Sequence, residues 1–246
     1  MPPAEKDIMK ADAIIFDKDG TLLDFDAFWI PVSVGAVEKV FKEFGAKNVF
    51  MEEVLLAFGV TDGVTSIEGV LCKGTYAQMG KIVFDILTKH GVDCSLDAVV
   101  NSLVSAYNEN FDAGEIRPVC PDLVSVLSKL KEENIRLAVV TTDNEEITRK
   151  CLKELHIEHL FDKIYTDDGV TPTKPDPYAA LDFCGIYGLD NERVIMVGDT
   201  LTDVNFARNA GLFSVCLEKS EENRKILEKK ADVVISQMSQ LCDVLE

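Results

Sequence analysis

Two acidic residues, two positions apart, follow a short apolar run near the start of the chain. Residues 13–26 read AIIFDKDGTLLDFD, so Asp17 and Asp19 come directly after four apolar residues that predict a buried strand. An Asp-Gly pair is common in turns, because aspartate tolerates left-handed backbone and glycine has no Cβ. A calcium loop also begins with two such acids, but it needs glycine at its sixth position, whereas Gly20 is fourth. The stretch alone leaves a turn and a reactive site open.

More polar residues later in the chain could join these two acids. Thr141, Thr142, Asp199 and Asp203 lie at or just beyond the ends of predicted strands, and Lys174 lies between two turn-forming segments before the next helix. In open α/β sheets, ligands bind beyond the carboxyl ends of the strands. We therefore expect the two acids, the hydroxyl, the lysine and the two further acids to converge on one edge of a sheet.

This combination of residue types is chemically coherent. Clustered carboxylates repel one another strongly without a cation, and carboxylate oxygens suit Mg²⁺, which often shares a phosphate oxygen with its substrate. Lysine and hydroxyl donors suit the remaining phosphate oxygens. One carboxylate is then free to act as a nucleophile, and another can act as general acid and then as base. The residue types indicate magnesium-assisted phosphoryl transfer.

The elements that must position these residues alternate between strand and helix after Pro118. Apolar runs predict strands at 12–17, 135–141, 163–166, 193–199, 213–217 and 231–236, and helical periodicity predicts helices at 121–133, 145–155, 177–187, 202–210 and 221–230, with a short last helix. Such alternation is typical of βαβ units. We expect an α/β fold with a doubly wound, mostly parallel sheet that is buried on both faces.

The segment from 24 to 112 interrupts this alternation. Its periodicity predicts helices at 32–44, 51–58, 75–90 and 95–110, with Pro31 at a helix start or kink, and the glycine-rich stretch 58–74 predicts a loop without strands. We interpret the segment as an inserted helical cap domain, which leaves 1–23 and 113–246 as the core domain. Lys73, Tyr76 and Gln78 could reach a substrate, but a helix start is the favoured interpretation.

Composition narrows the classes of function. The chain has 246 residues, of which 47% are hydrophobic and 28% charged, as in ordinary globular proteins. Its 43 acids against 25 lysines and arginines give a formal charge of −18, which argues against a nucleic-acid partner. The seven cysteines form no C-x-x-C pair, so buried reduced thiols are expected rather than disulfides or zinc. With no signal peptide at the N-terminus and no apolar run near ~20 residues, we expect a cytoplasmic protein without a membrane partner.

Four motifs in order resemble those of the haloacid dehalogenase-like (HAD) superfamily. FDKDGTLL is similar to the first motif, D-x-D-G-T, and LAVVTT to the second, a strand that ends in serine or threonine. Lys174 in KPDP is similar to the third, and VGDTLTD to the fourth, G-D-x-x-x-D. The resemblance covers nearly the whole chain. It implies a Rossmann-like core and makes the insert similar to the helical C1 cap of phosphoglycolate phosphatase and β-phosphoglucomutase relatives.

The resemblance also implies roles for the candidate residues. Asp17 would attack phosphorus, and Asp19 would protonate the leaving oxygen and later deprotonate water. Mg²⁺ would be held by the Asp17 carboxylate, the Asp19 backbone carbonyl and Asp199, with support from Asp203. The residues that hold the phosphoryl group would be Thr141 and Lys174. Lys18 departs from the apolar residue that many relatives carry there, and the sequence assigns its side chain no role.

Several functions fit this pattern. The first is a Mg²⁺-dependent phosphatase of a small phosphorylated metabolite, of the phosphoglycolate or sugar-phosphate type, working as a monomer or homodimer. A phosphomutase of the β-phosphoglucomutase type needs the same core plus a cap that grips a second phosphate. The dehalogenase and phosphonatase branches lack the second acid, which this chain keeps as Asp19. A non-catalytic binding protein on the same fold would not need all four motifs.

Overall fold

The structure is a computed structural model that describes residues 10–245. Its contacts divide the chain into two compact units, one formed by the residues up to Asp24 and from Ile116 onward, the other by Phe25–Glu115. Residues 1–9, where the sequence predicts no signal peptide, lie outside the described part. The interpretation of the units as a core domain and a C1 cap, with boundaries after 23 and 112, stays a prediction.

Strands and helices occur in the following order and bounds. The strands are β1 (Ala13–Phe16), β2 (Val60–Thr61), β3 (Val64–Thr65), β4 (Arg136–Val140), β5 (Lys163–Tyr165), β6 (Val194–Gly198), β7 (Phe213–Leu217) and β8 (Val233–Ile235). The α-helices are α1 (Phe25–Glu43), α2 (Met51–Phe58), α3 (Val70–Lys73), α4 (Tyr76–Lys89), α5 (Leu96–Asn108), α6 (Leu123–Glu132), α7 (Glu145–Glu154), α8 (Tyr178–Tyr187), α9 (Leu201–Ala210), α10 (Glu221–Leu227) and α11 (Leu241–Val244).

The first unit contains a parallel six-stranded sheet in the order β5-β4-β1-β6-β7-β8. β1 lies at its centre, where Ile15 is paired with Ala138 on one side and with Met196 on the other. The chain winds outward from β1 through β4 to β5, and then returns to start again at β6. This confirms the expected doubly wound α/β fold, and it places the reversal of strand order beside β1, where such sheets bind their ligands.

The sheet is buried on both faces, as its continuous apolar strands require. On one face, Ile15 and Met196 belong to a cluster with Phe183 from α8 and Phe206 from α9. All four residues of β1 are fully buried. Because neighbouring strands and packed side chains hold β1 in place, the backbone position of the residues that follow it is well defined.

The second unit is mainly helical. α5 packs against α1 and α4, and Tyr107 of α5 donates a hydrogen bond of 2.7 Å to Ser33 of α1. At the start of α4, Gln78 shares a capping box with Thr75, Lys73 pairs with Glu68, and Tyr76 lies against Tyr107. These contacts agree with the interpretation of this segment as a helix start.

Two predictions for this unit were wrong. The segment predicted as a loop contains a two-stranded antiparallel hairpin, β2-β3, whose two-residue turn is Asp62-Gly63. Such strands are too short to show an alternating pattern, although Asp-Gly is a typical hairpin turn. Helix α1 starts at Phe25 and not near 32, so Pro31 lies inside it and not at its start, and a kink at Pro31 stays a prediction. Proline leaves the Ala27 carbonyl without its helical donor, and the Glu115 backbone N–H donates to that carbonyl instead.

Within residues 10–245, no helix is both long enough and apolar enough to cross a membrane. The cytoplasmic location remains a prediction from the sequence.

The packing of α5 yields a stability prediction. Leu103 on α5 is fully buried, whereas Leu56 on α2 is 62% exposed. Leu103→Ala should lower the free energy of unfolding by about 3 kcal/mol, because it removes buried methyl groups and leaves a cavity. Leu56→Ala, the matched control, should change it by less than about 0.5 kcal/mol. Urea unfolding measures both, and equal losses would contradict the described packing.

Candidate active site

A buried lysine joins two of the candidate acids. Lys174 Nζ lies 2.6 Å from Asp17 Oδ1 and 2.7 Å from Asp203 Oδ1, and its side chain is only 4% exposed. Asp17 follows β1 directly, Asp203 lies in the first turn of α9, and Lys174 comes from the loop before α8. Three distant parts of the sequence therefore meet at the carboxyl edge of the sheet.

Asp203 serves two structural purposes. Its Oδ2 accepts hydrogen bonds from the Thr200 backbone N–H at 3.1 Å and from the Thr200 hydroxyl at 2.7 Å, and so caps the start of α9. Its Oδ1 faces Lys174. Asp203 can therefore cap α9 and take part in the site at the same time, because its two oxygens have different partners.

Asp199 completes the group of acids at the end of β6. It is buried, its Oδ1 accepts a hydrogen bond of 3.4 Å from the Thr21 hydroxyl, and its Oδ2 lies 2.9 Å from Lys219 Nζ. One carboxylate oxygen from each of Asp17, Asp199 and Asp203 lies within 4.8 Å of the others. Buried carboxylates at this separation could hold a metal ion, and an all-oxygen donor set suits Mg²⁺.

Two glycines of the motifs lie so close to neighbouring side chains that a Cβ would not fit. Gly20 has a φ of +82°, and a Cβ there would overlap Asp199 Oδ2 and lie 2.6 Å from Lys219 Nζ. A Cβ on Gly198 would overlap the side chain of Asp203. These positions need glycine because the backbone passes directly against the acids.

Burial and repulsion from neighbouring acids make Asp17 and Asp199 hard to ionise. Burial raises the pKa of Asp17 well above its usual value, Lys174 opposes this, and the neighbouring acids reinforce it. Burial likewise raises the pKa of Asp199, with Lys219 acting in the opposite direction. The carboxylates keep the pKa of Lys174 above its usual value in spite of burial. A bound cation would therefore reduce the repulsion between the buried carboxylates of this site.

A second buried lysine, Lys18, stands between the two acids of the first motif in the sequence. Lys18 is fully buried, and its Nζ lies 2.8 and 2.7 Å from the two carboxylate oxygens of Asp19 and 2.9 Å from Asp143 Oδ2. Burial raises the pKa of Asp143 to about 6, with Lys18 opposing and Asp19 reinforcing the rise. Lys18 links the general-acid candidate to the loop after β4.

Thr141 lines the same cavity as the lysine of the third motif. Its side chain is buried, its hydroxyl accepts a hydrogen bond of 3.2 Å from the Asp143 backbone N–H, and it lines a cavity of about 320 Å³ together with Lys174. Its neighbour Thr142 is exposed. The predicted phosphate-binding pair shares this cavity, but the four predicted acids of the site are not among the residues that line it.

All six candidate residues thus lie at one edge of the sheet, and their chemical roles stay predictions. Sequence reasoning missed the two additional lysines. Lys219 follows β7, so the strand-end rule that selected the other residues would have found it. Lys18 continues a fully buried strand, and a lysine there needs acidic partners. The structure shows that one of these partners is Asp143, in the TTDN segment after β4.

Comparison with known proteins gives the family. The model of the haloacid dehalogenase-like hydrolases matches residues 11–211. A relative from Caldanaerobacter subterraneus, provisionally named pyrophosphatase PpaX, is 30% identical over 97% of this chain and 96% of its own length. The phosphoglycolate phosphatase of Pasteurella multocida is 28% identical over 94% of this chain and 96% of its own. The chain belongs to the haloacid dehalogenase-like hydrolases and is an enzyme of that class.

Solved structures agree on the fold. A Thermotoga maritima protein, provisionally named a β-phosphoglucomutase, is similar with a TM-score of 0.66 at 21% identity, over 95% of this chain and 97% of that one. Identity at this level supports the fold alone. The relationship suggested by the four sequence motifs is confirmed at the level of the family.

The raised pKa of Asp17 yields a stability prediction. A carboxyl group with a raised folded-state pKa contributes stability below its unfolded pKa of 3.8, and that stability is lost as the pH rises through the folded value. At pH 7, which is above the unfolded pKa, this carboxyl group lowers the stability of the folded protein. In metal-free buffer, Asp17→Asn should therefore stabilise the protein by about 1 kcal/mol.

The control for this prediction has the opposite sign. Asp162 has a lowered pKa, since Lys131 and the Leu137 backbone N–H outweigh its burial. Its stability contribution is present above the unfolded pKa and is lost as the pH falls, so Asp162→Asn should destabilise the protein at pH 7. Thermal unfolding with a chelator measures both. Destabilisation by Asp17→Asn would contradict the description of the buried charges.

Proposed function

We propose that this protein is a Mg²⁺-dependent phosphatase that hydrolyses a small phosphorylated metabolite through an aspartyl-phosphate intermediate. The observation that carries the proposal is the buried contact of Lys174 with Asp17, inside a group of acids beside the reversal of strand order. A nucleophilic carboxylate needs a fixed position and a nearby cation to approach an anionic phosphate. Both requirements are met at Asp17.

The three clustered acids fit the metal that this reaction uses. Asp17, Asp199 and Asp203 supply carboxylate oxygens, and the Asp19 backbone carbonyl is the fourth predicted ligand. When bound, Mg²⁺ would neutralise charge on the phosphoryl oxygens and on the carboxylates.

The first half-reaction transfers the phosphoryl group to the protein. A carboxylate oxygen of Asp17 attacks phosphorus, and the bond from phosphorus to the leaving oxygen breaks with its electron pair on that oxygen. Asp19 donates a proton to the leaving oxygen. Lys174 and Thr141 stabilise the charge that spreads over the other phosphoryl oxygens.

The second half-reaction releases inorganic phosphate. Asp19, now a carboxylate, takes a proton from water, and the water oxygen attacks phosphorus. The bond between phosphorus and Asp17 breaks, which restores the Asp17 carboxylate and leaves Asp19 protonated for the next cycle.

The substrate class rests on charge and on the relatives. A chain with a formal charge of −18 needs localised positive charge to bind an anion, and Lys174 supplies it at the site. Relatives along the whole chain carry the name phosphoglycolate phosphatase. We therefore propose a phosphorylated metabolite of the phosphoglycolate or sugar-phosphate type as the substrate.

Phosphate release from a panel of phosphorylated metabolites tests the proposal. Turnover should require Mg²⁺, and Asp17→Asn should lower kcat by at least about a thousandfold, because it removes the nucleophile. Asp190→Asn is a matched control, since Asp190 caps the short turn before β6 at the opposite edge of the sheet. The control should retain full activity. Full activity of Asp17→Asn would contradict the mechanism.

Product analysis separates the hydrolase from the mutase. With a sugar phosphate as substrate, the proposed phosphatase releases free sugar and inorganic phosphate in equal amounts. An isomeric sugar phosphate without free phosphate would instead show a mutase. Absence of both products, with intact Mg²⁺ binding, would show a binding protein on this fold.

A further inference from the structure

The strongest feature that the proposed mechanism does not use is the buried ammonium of Lys18. It is fully buried, and its Nζ is paired with the carboxylates of both Asp19 and Asp143. Burying a lysine costs several kcal/mol unless it is well paired. An apolar side chain would fill this position without that cost, so the charge points to a role beyond packing.

The contact with Asp19 restricts the orientation of that carboxylate. Lys18 Nζ lies within 2.8 Å of both Asp19 oxygens. The Asp19 side chain is nevertheless 16% exposed, so it remains open on one side to a reacting group. A partly exposed aspartate would otherwise sample several rotamers, and a contact to both oxygens selects among them.

The other partner of Lys18 is itself fixed by the backbone. The Asp143 N–H donates to the Thr141 hydroxyl at 3.2 Å, and the Asp143 carbonyl accepts from the Asp167 N–H at 2.8 Å. The next residue, Asn144, caps α7. Asp143 is therefore held by hydrogen bonds near the ends of β4 and β5. Because Lys18 contacts both Asp143 and Asp19, it holds Asp19 in a defined position relative to these strands.

We propose that Lys18, anchored by Asp143, is a positioning residue that aims the Asp19 carboxyl group at the leaving-group oxygen. The inference rests on the proposed function, because it assigns Lys18 a part in the proton transfer by Asp19. Asp143 acts through Lys18 and through its link to Thr141. Neither Lys18 nor Asp143 takes part in bond making at phosphorus.

Leaving groups that differ in their need for a proton test this role. The leaving oxygen of glycerol phosphate is strongly basic, so it needs a proton from the enzyme and departs as an alcohol. The leaving group of p-nitrophenyl phosphate is a stable phenolate, which departs without a proton. Lys18→Met should lower kcat/KM for glycerol phosphate about 100-fold, as expected for a misplaced proton donor. For p-nitrophenyl phosphate the loss should stay below about fivefold. Asp19→Asn should show the same selectivity and serves as the reference.

Control variants separate positioning from loss of structure. Lys18→Met leaves the buried Asp143 unpaired and lowers stability, whereas Lys18→Met combined with Asp143→Asn removes both charges and should restore stability. The double variant should keep the selective loss on glycerol phosphate.

Lys131→Met is the matched control. It breaks the Lys131–Asp162 pair, which is 2.7 Å long and lies at the opposite edge of the sheet. It should lower the rates on both substrates equally or not at all.

Each outcome has a distinct meaning. A selective loss in the single and double Lys18 variants supports the inference. An equal loss on both substrates, or full activity in the double variant, would overturn it and leave the phosphatase proposal intact. Absence of turnover by the wild-type protein on every phosphate ester would overturn the phosphatase proposal and this inference with it.

Discussion

The contact between Lys174, Asp17 and Asp203 is the interaction on which the rest of the site depends. Without this lysine, buried carboxylates would face each other across less than 5 Å in a medium that screens charge poorly. Removing the lysine from such a buried group typically costs about 3–5 kcal/mol, roughly a third or more of the stability of a domain. The lysine thus lets the fold keep a set of acids that is useful for chemistry but unfavourable for stability.

The sheet topology explains why these groups meet at all. β1 and β6 are neighbours at the centre of the sheet although they are far apart in sequence, so Asp17 and Asp199 emerge side by side. Gly20 and Gly198 allow the backbone to pass against the acids without a clashing Cβ. Two further lysines then balance charge around this centre, Lys219 at Asp199 and Lys18 at Asp19. Three lysines thus offset part of the negative charge of the five acids at this centre.

Much of the core could be predicted from the sequence, because its signals are strong and local. Continuous apolar runs marked the strands, and β7 was predicted at its observed bounds, Phe213–Leu217. The rule that ligands bind beyond strand ends indicated where the acids gather, and the resemblance to the four motifs selected Thr141 and Lys174. The β2-β3 hairpin was missed because its strands have two residues each, too few for a periodic pattern. Lys18 was seen as a departure from the motif, but its pairing with Asp143 depends on tertiary contacts that one sequence does not reveal.

The most direct test of the central claim is to look for a phosphoryl group on Asp17. The protein is mixed with Mg²⁺ and a phosphate ester that it hydrolyses, and the reaction is quenched in acid within the first turnover. The protein is then digested, and its peptides are examined by mass spectrometry. The account predicts a phosphoryl group on Asp17 that forms only with Mg²⁺ present and disappears as the substrate is consumed. Turnover without a phosphorylated aspartate, or with the label on another residue, would contradict it.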